Sequence, residues 1–339
     1  MANGGIEQLR VQELPAPIIE RPTDVLLQVH ATALNRLDLF VTGGLPGSRL
    51  SFPHVMGSDG AGVVLEAGSA AQRWRPGDRV MINPTLSCGE CRTCLEEQDS
   101  QCRQLQVLGE HSPGTTAEYV VVPARNLAPV APDMPWPQAA AFSLATLTAW
   151  HMLKTRAELR PGETVLIWGI GGGVAIAALQ IARLIGARTV VTSSSDKKLA
   201  MAQSMGADVV VNHRTADVRA AVREYTGGWG ADVVVDSVGE QSWPVSLRVL
   251  RRGGRLVVCG ATTGPVVSLD LRRLFWHQWS ILGATLGSQK EYAEIVLHAA
   301  DGRLWPVIDR VVPLQEAPAA YERLATGEQF GKLVIEVAQ

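Results

Sequence analysis

The chain has 339 residues, of which 46% are hydrophobic and 19% charged, and its formal net charge is -2 at pH 7. This length predicts about two domains with sizeable cores, and the interspersed charges give no electrostatic footprint for nucleic acid or an anionic membrane. The sequence has no run of about 18 apolar residues that would predict a membrane-spanning helix. The start MANGGIEQLR lacks the basic and apolar regions of a signal peptide. We expect a cytoplasmic protein with neither nucleic acid nor membrane among its partners.

Short apolar runs dominate the chain before about residue 150. Examples are DVLLQVHATAL, GAGVVLEAG and AEYVVVPA, and turns rich in proline and glycine, such as RPGDRV, separate them. Runs of this length between such turns are typical of antiparallel strands. We therefore expect a mainly β first half.

Four of the five cysteines lie within one short stretch, SCGECRTCLEEQDSQC. Cytoplasmic thiols stay reduced, and this spacing can bring four sulfurs to one tetrahedral centre, although four unconnected thiols are the alternative. A zinc ion closed by four thiolates has no open position for a substrate. We therefore predict one structural zinc in a lobe at about residues 84–104. Its ligands would be Cys88, Cys91, Cys94 and Cys102.

The pattern changes after residue 150, where strand-like and helix-like segments alternate. ETVLIWG is followed by GVAIAALQIARLIGA, and RTVVTS by DKKLAMAQSMGA. Apolar strands joined by helices are buried on both faces. The second half therefore predicts a doubly wound parallel sheet.

The turn WGIGGGVAIA lies between the first strand and the first helix of this second half. Glycines here allow the backbone to approach a pyrophosphate at the positive end of the helix. The strand–turn–helix context predicts dinucleotide binding, and a turn that only permits close helix packing is the alternative. The residues assigned to the cofactor are Gly169, Gly171, Gly172, Gly173, Val174 and, after a later strand, Gly260.

The next strand ends in VVTSSSDKKLA. An NAD-specific site normally has an acidic side chain here, whereas a 2′-phosphate favours small hydroxyls and a cation. Ser193, Ser194 and Lys198 therefore favour NADP(H), and the nearby Asp196 leaves NAD(H) as the alternative. A serine and aspartate cluster that only caps a helix is also common.

Together with the cysteine lobe and the glycine turn, the segments GSDGAGVV, RPGDRV, SLATLTAW and GKLVIEV resemble the medium-chain dehydrogenase/reductase superfamily. That superfamily includes zinc alcohol dehydrogenases and quinone oxidoreductases. The resemblance implies an α/β fold in which residues 1–144 and 289–339 form a GroES-like, mainly β catalytic domain. Residues 145–288 would form a Rossmann domain, with the active site between the two. It also implies a strand before the turn NGGIEQLRV, so the start would be truncated or its first strand short.

The same resemblance shows which residues occupy the positions of the catalytic zinc ligands of alcohol dehydrogenases, and most of them are poor zinc ligands. Asn35 occupies the position of the first cysteine, and about Leu144 that of the later cysteine. Ser58 and Asp59 occupy the positions of the histidine and glutamate pair. Catalytic zinc needs three protein ligands drawn from His, Cys, Asp and Glu, and only Asp59 qualifies. We therefore expect no catalytic zinc at these positions.

Asn35 and Asp38 match the N-x-x-D segment of the zinc-independent reductases in this superfamily. The resemblance implies three catalytic residues: Asn35, as an amide that contacts a carbonyl or the nicotinamide, Asp38, and Thr148 on the nicotinamide side. It also implies that Lys332 reaches the cofactor phosphates. The alternatives are a helix cap for Asn35, an ordinary helical position for Thr148 and a solvated Lys332. His54 is interpreted as a hydrogen-bonding residue and not as a metal ligand.

The absent ligands bear on the reaction. Reduction of a simple ketone develops an alkoxide, which needs a metal or strong donors, whereas hydride addition to a conjugated carbonyl gives a delocalised enolate. We predict hydride transfer from NADPH to a small-molecule enone, quinone or related carbonyl, without catalytic zinc. Two alternatives remain: a zinc alcohol dehydrogenase with a rearranged metal site, and a low-activity NADPH-binding structural or sensor protein.

The strand SILGATLG closes the predicted parallel sheet and leaves one edge unpaired. A second copy of the chain can cover such an edge. We therefore expect a homodimer or a higher homo-oligomer, which the resemblance also implies.

Overall fold

The chain divides between residues 147 and 148 and again between residues 285 and 286. Unit one comprises Met1–Leu147 and Leu286–Gln339, and unit two is Thr148–Thr285. Both divisions lie three residues from the domain limits predicted from the sequence. The computed structural model describes residues 4–45 and 50–337. None of the helices in these ranges has the length and apolarity needed to span a bilayer.

The strands and helices follow in chain order. The strands are β1 (Asp24–Ala33), β2 (Asp59–Ala67), β3 (Arg79–Ile82), β4 (Thr85–Leu86), β5 (Gln106–Val107), β6 (Tyr119–Pro123), β7 (Leu127–Pro129), β8 (Thr164–Ile167), β9 (Arg188–Ser193), β10 (Val209–Asn212), β11 (Ala231–Asp236), β12 (Leu250–Val258), β13 (Ser280–Gly283), β14 (Ile308–Pro313) and β15 (Lys332–Glu336). The helices are α1 (Arg36–Gly43), α2 (Arg92–Leu95), α3 (Trp136–Trp150), α4 (Gly173–Ile185), α5 (Asp196–Ser204), α6 (Val218–Tyr225), α7 (Trp243–Val249), α8 (Leu271–His277), α9 (Gln289–Ala300) and α10 (Ala317–Thr326).

Unit one is built around strand β1. Val25, Leu27 and Val29 alternate along it and are fully buried, because successive side chains of a strand point to opposite faces of the sheet. The sheet has the order β14-β15-β1-β2-β3-β7, and β6 pairs with the first half of β1. The last strand, β15, pairs with the end of β1, where Ala33 lies opposite Val334. This register brings the start of β15 close to the residues that follow β1.

Unit two contains the parallel sheet, in the order β10-β9-β8-β11-β12-β13. Its strands are mainly apolar because helices cover both faces of such a sheet. The strand order reverses between β8 and β11, and ligands of doubly wound sheets bind at the carboxyl ends of the strands at this point. The glycine turn follows β8 directly. The predicted α/β architecture, a mainly β domain and a doubly wound parallel sheet, is confirmed.

Candidate functional site

The glycine turn connects β8 to α4 in unit two. Gly169 has a φ angle of 69° and Gly171 a φ angle of 136°, conformations that residues other than glycine rarely adopt. Gly172 is the N-cap of α4, and a Cβ atom there would meet nothing within 4 Å. Gly173 and Val174 begin the helix. The open space at the positive end of α4 fits a phosphate group, so these residues can hold the pyrophosphate of a dinucleotide.

The serine cluster follows β9 and begins α5. Ser193 is buried, and its hydroxyl oxygen accepts from the backbone N–H of Ser195 at 3.2 Å. Ser195 is the N-cap of α5 and accepts from the N–H of Lys198. Ser194 is exposed. Two of the three hydroxyls therefore serve as local caps, and Ser194 is the one that faces solvent.

Residues after β10 meet the serine cluster, because β10 is parallel to β9 and Asn212 lies opposite Ser193. Asn212 Nδ2 donates to Asp196 Oδ1 at 2.7 Å, so this carboxylate is already hydrogen-bonded. His213 and Arg214 follow and are exposed at the same edge. Our sequence analysis missed both residues. Their position directly after a strand could have indicated them, because the carboxyl ends of neighbouring parallel strands always meet at one edge of the sheet.

Two further assigned residues lie in unit two. Gly260 comes two residues after the end of β12, at the carboxyl edge of the sheet where the glycine turn also lies. Thr148 is on α3 and is buried. The cofactor role of Gly260 and the catalytic role of Thr148 stay predictions.

The four cysteines of the lobe converge on one point in unit one. Their sulfur atoms all lie within 4.8 Å of one another, and the Cys91–Cys102 and Cys88–Cys94 sulfurs are both 3.8 Å apart. Four sulfurs at about 2.3 Å from a tetrahedral zinc ion are separated by roughly 3.8 Å, so the cluster fits zinc. The backbone N–H of Cys91 also donates to the sulfur of Cys88. Among the described residues, no other group of three or more His, Cys, Asp or Glu side chains could hold a metal.

Asp99 ties the cysteine lobe to the rest of unit one. Its Oδ1 accepts from the Ser87 hydroxyl at 2.9 Å, and its Oδ2 accepts from the backbone N–H of Gln289 at 3.1 Å, at the start of α9. The Asp99 side chain is buried. The lobe is therefore attached by a buried polar contact, as expected of a structural element.

The counterparts of the catalytic zinc ligands also come together in unit one, but around an ammonium group. Lys332 is 4% exposed, and its Nζ lies 2.5 Å from Asn35 Oδ1 and 3.0 Å from Asp59 Oδ2. Asn35 Nδ2 donates to the same Asp59 oxygen at 2.9 Å. Asp38 Oδ2 accepts from the backbone N–H of Asn35 at 2.6 Å. We call Asn35, Asp38, Asp59 and Lys332 the Lys332 cluster.

The second oxygen of Asp59 is also bound. Leu144, at the position of the later zinc-ligating cysteine, donates its backbone N–H to Asp59 Oδ1 at 2.7 Å. Ser58 is 1% exposed and its hydroxyl has no hydrogen-bond partner. Among the counterparts of the zinc ligands, only Asp59 has the chemistry of a zinc ligand, and both of its oxygens are occupied. These residues do not fit a catalytic zinc.

This geometry changes the interpretation of two assigned residues. Lys332 is directed into unit one and bound by Asn35 and Asp59, so the structure does not present its ammonium to a cofactor phosphate. Asn35 uses its amide group within unit one, because Nδ2 donates to Asp59 and to the backbone oxygen of Ala33, and the carbonyl oxygen accepts from Lys332. It also precedes α1 directly, as the alternative of a helix cap predicts. Asn35 therefore holds its neighbours in place and has no amide hydrogen left for a substrate.

The neighbouring His54 is not part of a metal site. Its Nε2 forms a hydrogen bond with the backbone oxygen of Gly109 at 2.9 Å. This agrees with its interpretation as a hydrogen-bonding residue.

Asp38 is a buried carboxyl group inside the Lys332 cluster. Burial raises its pKa to about 7, and the negative charge of Asp59 acts in the same direction. The N–H groups of Asn35 and Gly57 and the charge of Lys332 act in the opposite direction but do not cancel the effect of burial. Tyr321 also faces this carboxyl, and burial together with the Asp38 charge raises its pKa well above the ordinary value. Asp38 is therefore expected to exchange a proton near neutral pH.

This buried carboxyl predicts a pH-dependent stability. The folded state keeps the Asp38 proton up to about pH 7, whereas the unfolded chain releases it near pH 4, so this group lowers stability as pH rises between them. Asp38→Asn should remove this loss. The free energy of unfolding of the variant, relative to that of the wild type, should therefore be higher at pH 8 than at pH 5. Urea unfolding at both pH values measures it. Asp133→Asn, at an exposed site, is the control and should show no such difference.

Two family sequence models match the chain. One, described as "Alcohol dehydrogenase GroES-like domain", matches residues 21–133, and the other, "Zinc-binding dehydrogenase", matches residues 173–301. A solved structure described as "Crystal Structure of NAD-dependent alcohol dehydrogenase" is 42% identical, with a TM-score of 0.96 over 99% of this chain and 98% of that chain. The chain belongs to the medium-chain dehydrogenase/reductase superfamily.

Other relatives of this medium-chain dehydrogenase/reductase, with lower sequence identity, have names that describe other activities. The human quinone oxidoreductase is 27% identical over 98% of this chain and 94% of its own length. A crotonyl-CoA reductase of Streptomyces avermitilis is 28% identical over 93% of this chain and 79% of its own length. This medium-chain dehydrogenase/reductase is therefore an oxidoreductase enzyme with a GroES-like and a Rossmann domain. Its cofactor is NAD(P), and its cysteine cluster is the structural zinc site.

Proposed function

We propose that this enzyme transfers hydride from NADPH to a conjugated carbonyl compound, such as an enone or a quinone, without a catalytic zinc ion. The observation that carries the proposal is the Lys332 ammonium among the counterparts of the zinc ligands, with both oxygens of Asp59 occupied. The quinone oxidoreductase and crotonyl-CoA reductase relatives act on conjugated carbonyls, judging by their names. Their similarity supports the same class of substrate here.

The chemistry of the substrate explains why such a site can work without metal. Hydride addition to the β-carbon of a conjugated carbonyl spreads the negative charge over an enolate, so weaker stabilisation suffices than for an alkoxide. The bound cofactor supplies the hydride. The glycine turn from Gly169 to Gly173 holds its phosphates, and the Lys332 cluster fixes the orientation of Asn35 in unit one through hydrogen bonds to Lys332 and Asp59. The protein thus contributes orientation and electrostatics, which are large terms in catalysis.

Zinc content and substrate range together test the proposal. We expect about one zinc per chain by elemental analysis. NADPH oxidation should occur with a panel of enones and quinones, and a chelator that leaves the structural zinc in place should not inhibit it. Failure to turn over any conjugated carbonyl would contradict the proposal. Quenching of the tryptophan fluorescence by NADPH without any turnover would favour a binding or sensor protein.

The second candidate is a zinc alcohol dehydrogenase with a rearranged site. It is favoured by the 42% identity to an NAD-dependent alcohol dehydrogenase, and it requires Asp59 to exchange Lys332 for a metal. About two zinc ions per chain, together with alcohol oxidation that a chelator abolishes, would establish it.

The nucleotide preference follows from the exposed hydroxyl at the end of β9. Ser194→Asp places a negative charge where we propose that the 2′-phosphate binds. We expect kcat/KM for NADPH to fall roughly 10- to 100-fold through like-charge repulsion, with a smaller effect on NADH. Ser204→Asp, at the exposed far end of α5, is the matched control. Equal kcat/KM values for NADPH in the two variants would contradict NADP(H) specificity.

The assembly that we propose is a homodimer through unit two. Strand β13 is at the edge of the parallel sheet, and the preceding α8 exposes Leu271, Phe275 and Trp276 by 64–67%. A second copy would cover both features. Phe275→Asp should therefore give monomers, whereas Trp229→Asp, at a residue equally exposed but outside α8, should leave the dimer intact. Light scattering after gel filtration measures the masses, and a monomeric wild type would contradict the proposal.

The expected cytoplasmic location belongs to the same proposal. Reduced thiolates are the form in which cysteines bind zinc, and a reducing compartment preserves them.

A further inference from the structure

Asp236 is a buried acidic residue in unit two that the reaction described above does not use. It ends strand β11 at the carboxyl edge of the parallel sheet, and its side chain is 0% exposed. In the part of the chain that the structure describes, it forms no ion pair. A carboxylate buried without a cation costs free energy, so its presence at this edge calls for a reason.

Four hydrogen-bond donors surround the Asp236 side chain. Its Oδ1 accepts from the backbone N–H groups of Val238 and Gly239 at 2.8 and 3.1 Å. Its Oδ2 accepts from the hydroxyls of Ser242 and Ser246, both at 2.7 Å. Donors of this kind stabilise the charged form of a carboxyl group. The structure therefore holds a negative charge at the end of β11 and fixes the turn that follows the strand.

The negative charge of Asp236 acts on its surroundings at this edge. Burial raises the pKa of the neighbouring Cys259 thiol to about 12, and the charge of Asp236 acts in the same direction. The two residues also share a backbone hydrogen bond, from Cys259 N–H to Asp236 O at 3.2 Å. A charge in a protein interior is screened far less than a charge in water. Its field therefore extends to groups that bind at the same edge of the sheet.

The turn that Asp236 holds contacts the glycine turn. A Cβ atom added at Gly169 would lie 3.8 Å from Cγ2 of Val238. The N–H of Trp168, which precedes Gly169, donates to Val235 O at 3.1 Å, so the ends of β8 and β11 lie side by side. The strand order reverses between these two strands. Asp236 thus lies beside the point at which we expect a dinucleotide to cross the sheet.

The nicotinamide half of the cofactor is expected on the Asp236 side of the glycine turn. In doubly wound folds the end of the second strand binds the ribose of the adenosine half, and here that strand is β9. The other half then extends over the ends of β11 and β12. The turns after these strands are joined, because Thr263 N–H donates to Val238 O at 2.8 Å. Gly260 lies in the same place, since a Cβ atom there would be 3.4 Å from Ser237 O.

We propose that the negative charge of Asp236 favours the oxidised, positively charged form of the bound nicotinamide cofactor. When the reduced cofactor gives hydride to the carbonyl compound, its nicotinamide ring changes from neutral to positively charged. A fixed negative charge near the ring stabilises the positive charge that develops in this step. This inference rests on the hydride transfer of the proposed function, but not on which carbonyl compound accepts the hydride.

The affinities for oxidised and reduced cofactor test the proposal without any substrate. Calorimetric titration of the zinc-loaded protein gives Kd for NADP⁺ and for NADPH, or for NAD⁺ and NADH if these bind more tightly. Asp236→Asn removes the charge but keeps an acceptor for the two N–H groups, and the serine hydroxyls can accept from its amide. We expect the ratio of Kd for the oxidised form to Kd for the reduced form to rise about three- to tenfold.

Two control variants separate the charge from the shape of the turn. Asp236→Glu keeps the charge and disturbs the hydrogen bonds, so it should weaken binding of both forms and leave their ratio within about twofold of the wild-type value. Asp208→Asn removes an exposed carboxylate before β10, at the opposite edge of the same sheet, and should also leave the ratio unchanged. A purely structural role of Asp236 would not distinguish the oxidised form from the reduced form.

Two results would overturn the proposal: an unchanged ratio in Asp236→Asn, or an equal rise in Asp236→Glu or Asp208→Asn. Thermal unfolding checks that the variants fold. If Asp236→Asn does not fold, Asp236→Ser replaces it, because a serine hydroxyl can also accept from the N–H two residues on. Turnover of enones and quinones is measured separately. Its absence would contradict the proposed function, whereas the ratio of the two Kd values would still report on Asp236.

Discussion

Replacing Lys332 with methionine is expected to lower the free energy of unfolding by about 3–5 kcal/mol. The substitution keeps most of the side-chain volume but leaves Asp59, which is fully buried, without the cation 3.0 Å from its Oδ2. Asn35 would lose the donor to its carbonyl oxygen at the same time. Urea unfolding at pH 7 measures the loss.

Two controls show whether the buried charge is the cause. The double variant Lys332→Met with Asp59→Asn removes both charges and should recover most of the stability, because a neutral buried amide costs less than an unpaired carboxylate. Lys290→Met breaks an ion pair with Glu97 in which both side chains are 59% exposed, and it should cost less than about 1 kcal/mol. Similar losses for Lys332→Met and Lys290→Met would contradict the role of Lys332 described above.

Replacing Cys91 with serine is expected to reduce bound zinc from about one ion per chain to almost none. The four sulfurs act together, and a site with three thiolates and one hydroxyl binds zinc far more weakly. Because zinc binding contributes directly to folding, the lobe should open and the thermal unfolding temperature should fall. Elemental analysis and thermal unfolding on the same preparation measure both effects.

Cys259→Ser is the matched control for this experiment. Cys259 lies in unit two, outside the cluster of four sulfurs, and burial raises its pKa to about 12, so it remains a neutral thiol. This variant should keep one zinc per chain. A wild-type content of two zinc ions, or retention of zinc by Cys91→Ser, would show that the metal is held by other residues.

Local sequence patterns were enough to predict several parts of the site. The four cysteines lie within one short stretch, so their convergence needs only short turns. The glycine turn is likewise defined by its place between a strand and a helix, and in the structure Gly169 and Gly171 have positive φ angles, which glycine adopts readily. In both cases the interacting residues are close in sequence.

The Lys332 cluster could not be predicted in this way. Lys332 and Asn35 are 297 residues apart in the chain, and they meet because β15 pairs with β1 in one particular register. The resemblance implied that Lys332 reaches the cofactor phosphates, and the alternative was a solvated ammonium, because a lone lysine before a strand is usually solvated. Only pairing across the sheet placed that ammonium beside Asp59.

The sequence by itself determined the two-domain α/β architecture, the zinc lobe and the dinucleotide turn, because hydrophobic periodicity, turn residues and cysteine spacing are local properties of the chain. The tertiary structure alone decided which side chain lies among the counterparts of the catalytic zinc ligands. That choice depends on strand pairing between distant segments, and such pairing is set by the packing of the whole domain and not by any single stretch.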